Sequence, residues 1–265
     1  MTEQLHAAPP SSGRLDDDQL RAILPLIGAA DTVELKATIP AGDQRAAVTA
    51  LQMDPLGAQV RQVFFFDTPE LDLYRTGVVV RARRTTGRGD DTVVKLRPVE
   101  PDTLTRRLRR TAGFGVEVDA MPGGFVCSAS LKGVPPGRDV RTTLSEGRPI
   151  RKLFSKSQRA LFEQYAEPGR NLDDLTVLGP LFVLKLRFVP TGLARKLVAE
   201  LWLYSDGSRL LELSTKCAPG EAFQVAAELR AFLAERGVDL TGAQQTKTRH
   251  ALEMLAAGAR KQEET

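Results

Sequence analysis

The stretch Thr32 to Ile39 (TVELKATI) alternates strictly, with Val33, Leu35, Ala37 and Ile39 on one face and Thr32, Glu34, Lys36 and Thr38 on the other. A period of two is that of a half-buried strand. The same pattern recurs along the chain. Val78 to Arg84 sets Arg81 and Arg83 against Val78, Val80 and Ala82, and Thr92 to Val99 sets Lys95 and Arg97 against Val94 and Leu96. Leu181 to Val189 carries Lys185 and Arg187, Phe114 to Asp119 carries Glu117 and Asp119, Lys196 to Tyr204 carries Glu200, and Arg209 to Cys217 carries Glu212, Ser214 and Lys216. With Val60 to Asp67, eight strands are predicted.

A solvated sheet face also alternates, but it intersperses the two signs, because like charges on neighbouring strands repel. Here Arg81, Arg83, Lys95 and Arg97 fall on the two strands of one hairpin, joined through Thr86 to Asp91. Four cations on one sheet face suit a bound polyanion, and arginine's planar fork suits phosphate.

Helices are predicted over part of Asp16 to Ala30, from Gly42 to about Leu51, within Ile150 to Tyr165, over Pro219 to Gly237, and from Thr246 to Gly258. Thr68-Pro69-Glu70 reads as the start of a further short helix, with Thr68 as cap. Residues 1–14 read as a disordered tail, 15–258 as one domain with a loop-rich insertion near 121–150, and 259–265 as a charged tail.

The chain has 265 residues and a formal net charge of +4, too mild to diagnose nucleic-acid binding. The basic run Arg106 to Arg110 has no interleaved aromatic stacker and reads as a solvated turn or a mobile flap; nucleic acid is not an expected partner. No apolar run has the length of a membrane span. Two cysteines, Cys127 and Cys217, form no CxxC pair, and a reduced cytoplasmic protein is expected. With His6 and His250 as the only histidines, the usual zinc ligand sets are effectively excluded, so any metal is expected to be held by carboxylates, which points to magnesium or manganese.

Glu34-Leu35-Lys36, the run Phe66 to Arg84 (FDTPELDLYRTGVVVRARR) and Thr92 to Arg97 (TVVKLR) together resemble the CYTH domains, or triphosphate tunnel metalloenzymes. The resemblance extends over roughly Thr32 to Leu255 and implies an α+β fold. In it, eight antiparallel strands close into a tunnel with charged faces inward and helices flanking the outside. It further implies that Lys36, Arg81, Arg83, Lys95, Arg97, Lys185, Arg187 and Lys216 hold a triphosphate or polyphosphate, and that Glu34, Glu200 and Glu212 coordinate Mg²⁺ or Mn²⁺. Glu34 and Glu212, with Glu117 and Asp119 as outer or water-orienting groups, are the implied catalytic acids.

The implied chemistry is metal-dependent hydrolysis of inorganic triphosphate or a short organic triphosphate. The alternatives are cyclisation of ATP to cyclic AMP and pyrophosphate, as in class IV-like adenylate cyclases, and phosphate binding without turnover. Thr32 and Ser214 stand where the family's pattern carries glutamates, which motivates the last of these as an alternative to hydrolysis.

Overall fold

The computed structural model describes residues 15–135, 140–240 and 247–263. The strands are β1 (Thr32–Ile39), β2 (Gln59–Asp67), β3 (Val78–Thr85), β4 (Asp91–Leu96), β5 (Phe114–Met121), β6 (Gly124–Gly133), β7 (Thr176–Phe188), β8 (Leu197–Leu203) and β9 (Arg209–Cys217). They form one closed barrel in the order β1-β5-β6-β4-β3-β2-β7-β8-β9, and β9 pairs back onto β1.

Two features correct the sequence reading. The barrel has nine strands rather than eight, and it is mixed rather than antiparallel, because β1 and β5 run parallel. The ninth strand, β6, lies in the stretch read as loop-rich. Pro122-Gly123 does not open a loop; it is a two-residue turn between the paired residues Met121 and Gly124, with Gly123 at φ +77°. Proline then glycine in the left-handed region is the sequence of a tight turn.

The helices are α1 (Asp17–Ala29), α2 (Gln44–Ala50), α3 (Asp72–Arg75), α4 (Arg106–Arg109), α5 (Val140–Ser145), α6 (Lys156–Tyr165), α7 (Ala222–Glu235) and α8 (Lys247–Glu263). As expected, α1 is capped by an aspartate: Asp16 accepts from the Gln19 amide at 2.8 Å. The short helix after β2 starts later than predicted. Leu71 sits at φ +62° and Thr68 Oγ1 accepts from the Asp72 amide at 3.0 Å, so Thr68-Pro69-Glu70 forms a turn before α3. Helix α8 continues through the segment read as a charged tail as far as Glu263. The predicted tail at 1–14 lies outside the described residues.

Apolar packing falls into two clusters. Outside the barrel, Ile23 and Ile27 of α1, Leu161 and Phe162 of α6, and Val225, Leu229 and Phe232 of α7 cover Val33, Leu35, Val80, Val94, Val118 and Leu213. The second cluster joins Val63, Phe65, Val79, Leu181, Val183, Trp202, Tyr204 and Leu210 to Ala251, Leu252 and Ala256 of α8. These strand residues share the register of Arg61, Arg81, Lys185, Glu200 and Glu212, so they point inward. Helix α8 therefore fills one end of the barrel interior. Among the described residues, no helix is long and apolar enough to cross a membrane.

Candidate functional site

The other end of the interior is a cavity of roughly 260 Å³. Every phosphate-binding and metal-binding candidate from the sequence lines it, as does Glu117, while Asp119 lies beneath its floor with no solvent exposure. Alternation explains this convergence, because closure of the sheet turns each charged register toward one axis.

On one wall stand Glu34 and Lys36 of β1 with Glu117 and Asp119 of β5. The parallel pairing sets Thr32 beside Glu117 and Glu34 beside Asp119. Thr32 Oγ1 donates to Glu117 at 3.2 Å, so an acid from β5 stands beside the position where β1 lacks one. Oxygens of Glu34, Glu117 and Asp119 all lie within 4.8 Å of one another. Lys36 Nζ is 2.7 Å from Asp119 and 3.3 Å from Glu34, while Lys95 and Arg97 each approach Asp119 at 3.5 Å. Lys216 pairs with Glu117 and stands 3.7 Å from Glu34.

These contacts fix the protonation states. Burial opposes ionisation of Glu34, yet Lys36 and Lys216 hold its carboxyl at about 2. Asp119 is likewise held far below the usual carboxylate range against its burial, by Lys36, Lys95 and Arg97. Lys36 is raised because Asp119 and Glu34 outweigh its desolvation. Lys95 goes the other way: burial, with Arg97 and Lys36 adding, pushes its ammonium down to about 8 against the pull of Asp119.

A second acidic pair, Glu200 of β8 and Glu212 of β9, are direct cross-strand partners and both are buried. Lys185 donates to Glu200 at 2.7 Å, and Arg61 lies 3.8 Å from it. Lys247, in the first turn of α8, donates to Glu200 and, at 2.6 Å, to Glu212. Lys247 and Lys185 keep the Glu200 carboxyl well below its ordinary value despite its burial. Of the three acids implied as metal ligands, then, Glu34 groups with Glu117 and Asp119, whereas Glu200 and Glu212 are engaged by Lys247.

The β2–β3 wall is almost purely cationic. Arg83 pairs with Asp91 at 2.8 Å, but Arg81 has no ion-pair partner among the described residues. Neither Arg61 Nε nor Arg81 Nε has a hydrogen-bond partner among them. Burial and the neighbouring Arg83 push the Arg81 guanidinium down to about 9, an electrostatic cost that a bound anion would relieve. Arg187 sits at the exposed rim, where it donates to Gln59 at 3.3 Å.

Eleven of the lining side chains are lysine or arginine and four are glutamate, so the lining carries an excess of positive charge. The sequence reading missed Arg61, Lys132 and Lys247. Arg61 shares its inward register with Val63 and Phe65, a signal present in the sequence; Lys132 was hidden with β6. Trp202 is packed rather than presented, 2% exposed, with Lys247 Nζ 5.5 Å from its ring centre. Arg109 is a structural brace outside the site, donating to the Ala29 and Pro101 carbonyls. Both cysteines are buried free thiols.

No family model matches the chain, and no curated protein matches it in sequence. Solved structures do. An adenylate cyclase candidate from Bacillus halodurans superposes with a TM-score of 0.56 at 11% identity, covering 83% of this chain and 98% of that one. HpAC1 from Hippeastrum, an adenylyl cyclase candidate described as having a dominant triphosphatase activity, gives 0.55 at 16% identity, covering 80% and 91%. What this chain shares with them is the fold.

Proposed function

We propose that the protein is a divergent member of the triphosphate tunnel architecture: a Mg²⁺- or Mn²⁺-dependent phosphohydrolase acting on inorganic triphosphate or a short organic triphosphate. The observation that carries this reading is the cavity's cationic excess, with Arg81 unpaired, beside the converging acids Glu34, Glu117 and Asp119. Those acids fit the metal, since they offer hard carboxylate oxygens close enough to converge on one ion. When bound there, the ion supplies charge neutralisation for the transferred phosphoryl group.

The remaining work falls to the chain's own side chains. Arg61, Arg81 and Lys185 hold the polyphosphate, replacing its hydration shell with fixed donors. Asp119, being fully buried, would meet the ion but not the substrate, and it aligns Lys36, Lys95 and Arg97. Glu117 faces the cavity, and its role in this reading is to orient a water. The water oxygen bonds to the terminal phosphorus as the bridging P–O bond breaks; the water proton passes to Glu117, and pyrophosphate leaves from inorganic triphosphate or the organic diphosphate from an organic one.

One observation favours a second reading, a triphosphate-binding module without turnover. Lys36 stands 2.7 Å from Asp119 and 3.3 Å from Glu34, so a divalent ion must share these acids with a resident ammonium. Incubation with tripolyphosphate and Mn²⁺ or Mg²⁺ decides between the two. Phosphate release that is lost in Glu34→Ala supports the hydrolase, and tight metal-independent binding with no release supports the module. Conversion of ATP to cyclic AMP would replace both with a cyclase.

A further inference from the structure

We infer that the Glu200–Glu212 pair is not a metal site but the seat of a built-in cation, Lys247, which presents its ammonium to the bound anion. The inference rests on the anion-binding reading above. Two buried carboxylates facing each other across β8 and β9 need compensating charge. Lys185 and Arg61 serve only Glu200, whereas Lys247 serves both acids from a single nitrogen.

A divalent ion bound by both carboxylates would have to displace that ammonium. Displacement is opposed from below, because Lys247 begins the helix whose Ala251, Leu252 and Ala256 are buried in the inner apolar cluster. The Trp202 ring lies 5.5 Å from Nζ and adds a cation–π contact. An ammonium has three donors. Glu200 and Glu212 take two, and because Lys247 lines the cavity the third is left for a phosphoryl oxygen. The pair thus positions a lysine against the substrate, and divalent metal is confined to the Glu34, Glu117 and Asp119 side of the cavity.

The test combines calorimetric titration of inorganic triphosphate in chelator-containing buffer with electron paramagnetic resonance counting of bound Mn²⁺. Lys247→Met is expected to weaken triphosphate binding about tenfold, the scale of one charge-assisted hydrogen bond. The same variant gains one Mn²⁺ site, and adding Glu212→Gln removes it again. Lys247→Arg, which keeps the charge, binds triphosphate more tightly than Lys247→Met.

Unchanged triphosphate affinity in Lys247→Met overturns the inference. So does a wild-type Mn²⁺ count that drops by one in Glu212→Gln, a comparison that still decides the matter if Lys247→Met fails to fold. A wild type that binds no triphosphate sinks the functional reading and Lys247's contact with phosphate together. The Mn²⁺ count then still decides whether Lys247 excludes metal from the acid pair.

Discussion

The two ends of the barrel interior are built from the same strands in the same register, yet they are opposite in character. Along β2 the inward side chains run Arg61, Val63, Phe65; along β7, Lys185, Val183, Leu181; along β8, Glu200, Trp202, Tyr204. The first members line the charged cavity, the second (Val63, Val183 and Trp202) form its apolar inner boundary, and the last belong to the apolar cluster shared with α8. Hydrophobic burial therefore stabilises only one end, while the other concentrates like charges whose mutual repulsion costs stability. The contrast teaches that α8 belongs to both ends: its apolar face is the plug, and its first turn supplies Lys247 to the site.

The largest effect should come from breaking the dry end. Leu252 is 1% exposed within the inner cluster, and Leu252→Ala should cost about 3 kcal/mol in urea unfolding, the middle of the range for truncating a buried leucine. A loss below about 1 kcal/mol would mean that α8 merely rests on the barrel and that the two ends do not differ as described.

How much of this contrast was legible in the sequence follows from its physics. A period of two is local, so the charged registers of β1, β3, β4, β7 and β9 were readable residue by residue. The same register continuing into Val63, Phe65, Trp202 and Tyr204 was equally readable, and it signals an interior filled at one end. β6 was lost because Pro122-Gly123-Gly124 reads as a loop unless the strands on both sides are already known. The parallel contact between β1 and β5 and the reach of Lys247 to acids 35 and 47 residues away are of another kind. No turn chemistry fixes the register of strands that are distant in sequence, and nothing around Lys247 specifies which strands its helix will meet.

Acid should probe the wet end through Glu34. Glu34 ionises at about 2 in the folded protein and at 4.5 in the unfolded chain, so between those values the unfolded state binds more protons. The stabilisation is complete above pH 4.5 and is lost as pH falls toward 2. It amounts to about 2 kcal/mol on the scale of 1.4 kcal/mol per unit, reduced somewhat because the side chain is not fully enclosed. Thermal melts from pH 6 to pH 3 should therefore fall less steeply for Glu34→Gln than for the wild type. Parallel curves would show that the Lys36 and Lys216 contacts do not hold this carboxyl down.

The smallest effect sharpens the comparison within the wet end itself. Arg81 and Arg187 both face the cavity, but Arg81 is enclosed and has no acidic partner among the described residues, whereas Arg187 is exposed at the rim and already donates to Gln59. An enclosed, unpaired guanidinium can give a bound phosphate a full charge-assisted hydrogen bond, so Arg81→Met should weaken triphosphate binding about tenfold. A rim charge is screened by water and salt, and Arg187→Met should change affinity by less than about threefold, the more so as ionic strength rises. The unliganded proteins should show the reverse order, because removing Arg81 relieves its repulsion with Arg83 and spares the cost of burying it. Arg81→Met should thus unfold at the same or a higher urea concentration than the wild type while binding less triphosphate. Equal affinity losses at the two positions would mean that the anion sits at the mouth, and that the enclosed part of the cavity is not where the phosphates are held.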